Sequence, residues 1–543
     1  MEPSMSDTTR KRNPIIRAIV WHYSNRKCTI KPAQYEKEKY LISTIKFNPW
    51  LLMPAAVIVQ FGCGSLYAWS VFNAPIDEAI SGNSKTSQAP VTFYIAVGMF
   101  GIASVVMGPY LDRNGPRKTI MIGSSLLFIG NILSSIAVYL KYIWLLYLGF
   151  GVIAGFSIGC SYIAPISSLQ KWFPHKRGLA GGVAVCGAGL GSIVIGKVIL
   201  PLIHLVGLPP TFIVLGSYYF VTMMISAFLF RLPPPDYTVI ESSDPSDTER
   251  KVTAVTAPLM PENPEVKLTL KESIKSIDFW FVSVMALTNS LFGLSFIARL
   301  ADMVTKLYLR EPNEASTIVS IYGALNLTGR IFFAALSDKI GRKTTCIIML
   351  MIQTIIISAF PFFMENRNYW MFLGCMFVIS MCYGGGIGIM PAFLTDLFGT
   401  HNFSVCYGIV IIAWSIAGTG GGIIFTTIYN HLIVSFGYTT GNAYPYIFNS
   451  YWILSLVVVG LLCTILIRTH LKYRVLPPVE GQWYRFVFFK HVVIVRRLLS
   501  CPEIEILSSY EYDQMWDNYL KSRHLDSRSG DAVELTTLID SNK

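Results

Sequence analysis

The chain has 543 residues, of which 52% are apolar and only 14% charged, with a formal net charge of +12. A soluble domain carries about 25% charged residues, so this composition excludes an ordinary soluble enzyme and points to a membrane protein. The Lys and Arg gather in the tails, the linker and the short inner loops, where they are a topology signal and demand no nucleic acid.

In chain order, residues 1–48 are polar and basic and read as a cytosolic tail without a cleavable signal peptide. The runs "WLLMPAAVIVQFGCGSLYAWSVF" (50–72) and "VTFYIAVGMFGIASVVMGPYL" (91–111) follow. Each supplies the ~20 residues that cross a bilayer. Further spans are expected near 119–139, 142–164, 179–200, 210–230, 279–300, 315–337, 344–363, 369–391, 404–428 and 447–467, which makes twelve. The loops "DRNGPRK", "QKWFPHKRG" and "DKIGRK" hold three Lys or Arg each, which predicts that they and both termini face the cytosol. No cysteine falls in an outer loop, so no structural disulfide is expected. The N-x-[ST] matches at Asn326 and Asn402 fall in a span and a cytosolic loop and are chance matches.

The chain divides into a six-span half (49–231), a Pro-, Ser- and acid-rich cytosolic linker (232–278), a second six-span half (279–470) and a C-terminal cytosolic tail (471–543). The linker reads as disordered apart from one amphipathic helix near 268–277. In the tail, "GQWYRFVFFKHVVIVRRLLS" (481–500) is too short and charged to span and is expected on the inner membrane face. Residues 502–543 are acidic and expected to be disordered. They hold two candidate signals for sorting adaptors, "YDQM" (Tyr512 to Met515) and "ELTTLI" (Glu534 to Ile539).

The halves repeat each other. Asp112 in "GPYLDRNGPRK" and Asp338 in "AALSDKIGRK" are 226 residues apart, as are Pro165 and Pro391 at the ends of spans four and ten. A duplicated six-helix unit with a central cytosolic loop is the layout of carriers that rock two halves about a midplane site. In each repeat an aspartate closes one helix, where it can sit against the positive N-terminus of another, and a glycine permits a tight turn. Positive-inside charge alone would explain the basic residues, not the repeated Asp and Gly.

Asp112-Arg113-x-Gly115-x-Arg117 and Asp338-Lys339-x-Gly341-Arg342 resemble the loop signature of the major facilitator superfamily. The resemblance implies an all-α membrane fold of twelve helices in two pseudo-symmetric halves, with these loops as a cytosolic gate. Within that superfamily, "QFGCGSLYAWSVFNAPI" (60–76), "KWFPHKRGLAGG" (171–182), "GRIFFAALSDKIGR" (329–342) and "CYGIVIIAWSIAG" (406–418) are similar to the oxalate–formate antiporter family, close to the monocarboxylate transporters. The likeness covers roughly residues 47 to 470 and neither tail.

That resemblance gives Arg330 a role. It matches the span-eight arginine that binds substrate carboxylate in the family, and a planar fork of N–H donors suits a carboxylate in a low-dielectric cavity. The competing reading is an arginine paired structurally or reaching to the interface. Arg299, three residues from Asp302, marks the outer interface instead. The departures are informative. The oxalate carrier's second cation, a lysine in span eleven, aligns with Trp414, so a dicarboxylate would leave one charge uncompensated. The aspartate that serves proton coupling in monocarboxylate transporters aligns with Asn326, which cannot titrate. Gln60, Tyr67, Tyr162, Tyr322, Tyr383 and Trp414 are the polar and aromatic groups available to line a cavity, although each taken singly could equally be packing. Gly-rich stretches such as "GLAGGVAVCGAGLGSIVIG" (178–196) read as close helix contacts, not nucleotide loops. No Walker loop, metal cluster or catalytic triad is present, so neither enzyme activity nor a cofactor is expected.

The expectation is a monomeric, secondary-active or facilitative carrier that moves a small organic anion, a monocarboxylate, by alternating access, with substrate-linked protonation, anion exchange and facilitated diffusion all open. It would lie in the plasma membrane or an endosomal, lysosomal or vacuolar membrane. The rivals are a carrier of the same fold for another solute (an amino acid, or a dicarboxylate in exchange) and a non-transporting membrane sensor with the tails as output.

Overall fold

The computed structural model describes residues 21–23, 40–42, 45–82, 89–233, 270–297, 299–300, 303–436, 442–469, 482–488, 491–497, 502–508 and a few residues to 518. Two short strands, β1 (Tyr40–Ile42) and β2 (Ile45–Lys46), pair antiparallel ahead of the helices. The first half is built from α1 (Pro49–Trp69), α2 (Asn73–Ser81), α3 (Ala89–Leu140), α4 (Ile143–Trp172), α5 (Arg177–Val206) and α6 (Leu208–Leu229). The second holds α7 (Leu270–Lys275), α8 (Ile277–Ile297), α9 (Pro312–Ile340), α10 (Arg342–Glu365), α11 (Tyr369–Phe436) and α12 (Tyr444–Leu466). α7 falls on the helix expected near 268–277; linker residues 234–269 lie outside the described residues.

Among the described residues, eleven helices are long and apolar enough to cross a membrane. The stretch Val91–Leu140 is 50 residues long. At 1.5 Å per residue it would run about 75 Å, more than twice the hydrocarbon thickness. It is broken at Gly115 (φ 80°, ψ 169°), with Pro116 opening the next leg. α11 is broken likewise at Gly399 (φ 76°, ψ 162°). Without a Cβ, glycine accepts this backbone at no steric cost, so a helix can reverse across the membrane face in a single residue. Counted by legs, the helices fall on the twelve expected spans. Ile225, Ile355 and Phe362 stand among many apolar side chains exposed on the outer helices, the surface that lipid covers.

The 226-residue repeat is a packing repeat as well. Gly182 of α5 lies against the Arg330 carbonyl of α9, where a Cβ would come within 2.6 Å. Gly408 of α11 lies against the Ser104 carbonyl of α3, and a Cβ there would collide with it. Gly182 and Gly408, and Ser104 and Arg330, are each 226 apart. Both crossings join one half to the other.

The C-terminal tail departs from expectation. Residues 481–500 hold two strands, β3 (Gln482–Phe488) and β4 (His491–Arg497), and β5 (Pro502–Ser508) completes an antiparallel sheet in the order β3-β4-β5. Alternating apolar residues such as Val492 and Ile494, both buried, give this stretch a strand period that its charge obscured. The expected disorder therefore fails for 502–508, and helical residues follow from Tyr510. Tyr512, the tyrosine of "YDQM", is 0% exposed and accepts a 2.7 Å hydrogen bond from Arg485 Nη1, so in this fold that signal is not displayed. "ELTTLI" lies outside the described residues.

Candidate functional site

Arg330 sits midway along α9, 4% exposed, at a point where three helices meet. Gly182 of α5 and Gly388 of α11 both rest on its carbonyl, so the backbone is clamped from two sides. Its Nε donates to Asn326 Oδ1 (3.1 Å), one turn earlier on the same helix. Nη1 donates to the Val185 carbonyl of α5 (2.7 Å), on the other half of the molecule. Asn326 is held in turn by its Nδ2, which donates to the Ser380 carbonyl (3.2 Å). Both partners of the guanidinium are neutral, and no carboxylate among the described residues pairs with it. Its charge acts on the phenols of Tyr67, Tyr162, Tyr383 and Tyr407.

Three of them, Tyr67, Tyr162 and Tyr407, border a cavity between the halves. The first half contributes Tyr67, Phe100 and Tyr162, and the second Asn289, Ser290, Met390, Tyr407 and Trp414. The aromatic rings form a chain that crosses between the halves three times. Tyr67 meets Trp414 edge-on at 6.1 Å, Trp414 meets Phe100 at 5.5 Å, Phe100 meets Tyr162 at 5.1 Å, and Tyr162 stacks near Tyr407 at 6.4 Å. Trp414 Nε1 donates to the Tyr383 hydroxyl (3.4 Å), which joins Tyr383 to the wall.

Of the residues expected from sequence, Tyr67, Tyr162 and Trp414 line this cavity, with Tyr383, Asn326 and Arg330 in the layer behind it. Gln60 and Tyr322 are placed elsewhere. Gln60 is fully buried and its Nε2 donates to the Tyr162 carbonyl (2.8 Å), tying α1 to α4. Tyr322 is fully buried and its hydroxyl donates to the Gly293 carbonyl (3.3 Å), tying α9 to α8. Both share a helix face with a cavity or anchor residue, but helical spacing fixes direction only, not which neighbour fills the space. Sequence reasoning missed Phe100, Tyr407, Asn289 and Ser290, which carry no charge and sit in apolar runs. Tyr407 was within reach, since it opens the quoted stretch "CYGIVIIAWSIAG".

The two Asp-Gly loops sit on one face of the molecule. Asp338 accepts from the backbone N–H groups of Gly178 (3.1 Å) and Leu179 (3.0 Å), the first turn of α5, where the helix dipole favours a carboxylate. Arg342 pairs with Asp338 and also reaches Asp396 (3.0 Å), which Arg177 meets at 3.1 Å. The other repeat uses a hydroxyl in place of amides. Ser404, 226 residues after Gly178, donates its Oγ to Asp112 (2.7 Å), and Lys171 lies 3.6 Å from the same carboxylate. Arg113 Nη2 bonds His22 Nδ1 (2.8 Å), and Arg117 Nη2 donates to the Phe228 carbonyl (3.0 Å). Gly115 and Gly341 (φ 93°) make the turns. Asp396, Arg177 and Ser404 were not singled out from sequence, although they lie in or beside the repeated loops.

With this geometry in view, the comparisons with known proteins are consistent. The sequence model described as Major Facilitator Superfamily matches residues 50–422 and 284–499. The chain is 28% identical over 367 residues to the uncharacterized MFS-type transporter YhjX of Escherichia coli, across 68% of this chain and 85% of that one. It is 24% identical over 383 residues to the oxalate:formate antiporter of Oxalobacter formigenes, across 69% and 84%. In structure it resembles the proton:xylose symporter XylE with a TM-score of 0.58 at 14% identity, covering 76% of this chain and 94% of that one. The chain is a multi-pass membrane transporter that belongs to the major facilitator superfamily.

Proposed function

We propose that this transporter carries a small organic monoanion, a monocarboxylate, by alternating access, with Arg330 as its electrostatic anchor. One observation carries the reading. Among the described residues, a buried guanidinium behind the wall of a central cavity is satisfied by two neutral acceptors, the Asn326 amide and the Val185 carbonyl. A cation of this kind, far from water, is stabilised most by an anion that it can hold with two parallel N–H donors. The cavity wall offers hydroxyls, an amide and aromatic edges but no cation of its own, so with Arg330 behind it one carboxylate balances the site. The relative from Oxalobacter formigenes, by its name an exchanger of oxalate and formate, favours a carboxylate substrate. Trp414 on the wall favours the monoanion over the dianion.

The coupling of the two halves follows from the same residues. Arg330 is anchored in one half and bonded to the other through Val185, so an arriving carboxylate competes with an inter-half bond. On the face of the Asp-Gly loops, which charge distribution assigns to the cytosol, Asp338, Arg342, Asp396 and Arg177 hold the halves shut. Opening that side breaks these pairs where water can solvate the freed charges. No titratable acid contacts the anchor among the described residues, so the reading is exchange or facilitated flux rather than proton symport through a buried acid.

The test is uptake of labelled formate, lactate, pyruvate and oxalate into proteoliposomes with and without internal anion. Saturable uptake of one or more monoanions at rates above oxalate supports the proposal. Oxalate uptake faster than every monoanion would overturn it in favour of dicarboxylate exchange.

A further inference from the structure

The C-terminal sheet carries a surface that transport leaves unused. Across the strands, Tyr484 pairs with Val495 and Val495 with Ile504, while Phe486 pairs with Val493 and Val493 with Ile506. Side chains alternate along a strand, so these six share one face, and every one is aromatic or β-branched. The opposite face is covered by the chain itself. There Val492, Ile494 and Tyr512 form a small core, with Leu507 and Trp516 packed against it. The six-residue face is bare towards β5, where Ile504 and Ile506 are each 64% exposed. A one-sided sheet in water puts polar residues on its open face; here the two central rows are apolar throughout and Ser508 stands in the end row.

The sheet's attachment tells which way that face points. Tyr484, one of the six, donates its hydroxyl to the carbonyl of Leu466, the last residue of α12 (2.9 Å). Its ring meets Phe281 in the second turn of α8 at 6.2 Å, and the Arg468 guanidinium lies 5.0 Å over it. Arg468 is fixed by the fully buried Asp278 at the start of α8 (2.8 Å). The bare face is therefore turned towards the membrane ends of α8 and α12. It continues the lipid-covered surface of those helices, on which Trp280 is also exposed.

We propose that the β3–β5 sheet is a membrane-surface anchor, its apolar face resting in the headgroup–acyl boundary of the leaflet beside the Gly115 and Gly341 turns. Lys343, just past the Gly341 turn, donates to the Ile467 carbonyl (2.8 Å), which puts the sheet's attachment on that side. Aromatic and aliphatic side chains next to Arg468 match the chemistry of an anionic interface. The sheet pins the end of α12 through Tyr484 and buries Tyr512 on its far face.

The experiment uses the full-length protein in nanodiscs of phosphatidylcholine and phosphatidylserine. The photo-crosslinking residue p-benzoylphenylalanine replaces Ile504, Ile506, Glu505 or Glu511, one at a time. Ile504 and Ile506 are exposed on the bare face. Glu505 points to the other side of β5 with its side chain 36% exposed, and Glu511 is exposed in the helical residues after β5, so no probe position lies in the small core. At least fivefold more lipid adduct at 504 and 506 than at 505 and 511, measured by intact mass, is expected. Equal adduct at all four sites, or little at any, would mean that the face stands in water. Protein–protein adducts at 504 and 506 would mean that another segment or a second copy covers it. Each of these results overturns the anchor.

Discussion

At the residue scale, the account rests on charge balance around one side chain. Arg330 has neutral partners on both sides, and Trp414 stands on the cavity wall where the resembling oxalate carriers place a lysine. Trp414→Lys supplies the missing cation. A charge-assisted hydrogen bond contributes roughly 1.5–3 kcal/mol. Oxalate uptake relative to formate is therefore expected to rise roughly tenfold or more, read from competition uptake in proteoliposomes; an unchanged ratio would remove Trp414 from the specificity argument. Arg330 and Asn326 were legible in the sequence because a charge in an apolar run and an amide one turn away are conspicuous. Phe100, Tyr407 and the Val185 carbonyl were not. Aromatic residues in a span serve packing and cavity alike, and a backbone acceptor has no sequence signature at all.

At the element scale, the glycines of α5 and the carboxylate that closes α9 decide how the halves meet. Gly182→Leu drives a side chain into the Arg330 carbonyl and Ala334, where overpacking costs about 1–3 kcal/mol. Gly196→Leu on the same helix meets nothing within 4 Å. The first variant is expected to lower the melting temperature in detergent by several degrees and the second to leave it near wild type. Equal effects would mean that the crossing does not govern packing. Asp338→Asn removes the charge, which is worth roughly 0.3–2 kcal/mol at a helix N-terminus, and keeps at most one of the two hydrogen bonds from the start of α5, because its amide nitrogen would face an N–H donor. A thiol introduced by Ser167→Cys, buried under the closed face beside Ser404, should then be alkylated about two- to tenfold faster. No change in rate would mean that Asp338 does not hold that face shut. The Asp-x-x-Gly turns could be read from the sequence because glycine is required there. Asp396 and Arg177 could not, since their pairing brings together residues 219 apart.

At the scale of the whole molecule, the twelve-span layout and the two-fold repeat were visible because apolar run length and a fixed 226-residue offset survive in composition alone. The order of 502–508 was missed because the strands are short and charged, and only their pairing shows which face is apolar. In the proposed reading, two halves are joined through tight glycine crossings and an anion replaces the contact that Arg330 makes between them. The most direct test compares labelled monoanion uptake by wild type and Arg330→Gln in matched proteoliposomes, with melting curves to show that both are folded. A loss of at least about tenfold in uptake, the size expected for one charge-assisted carboxylate contact, is the predicted result. Uptake by Arg330→Gln equal to wild type would contradict the account.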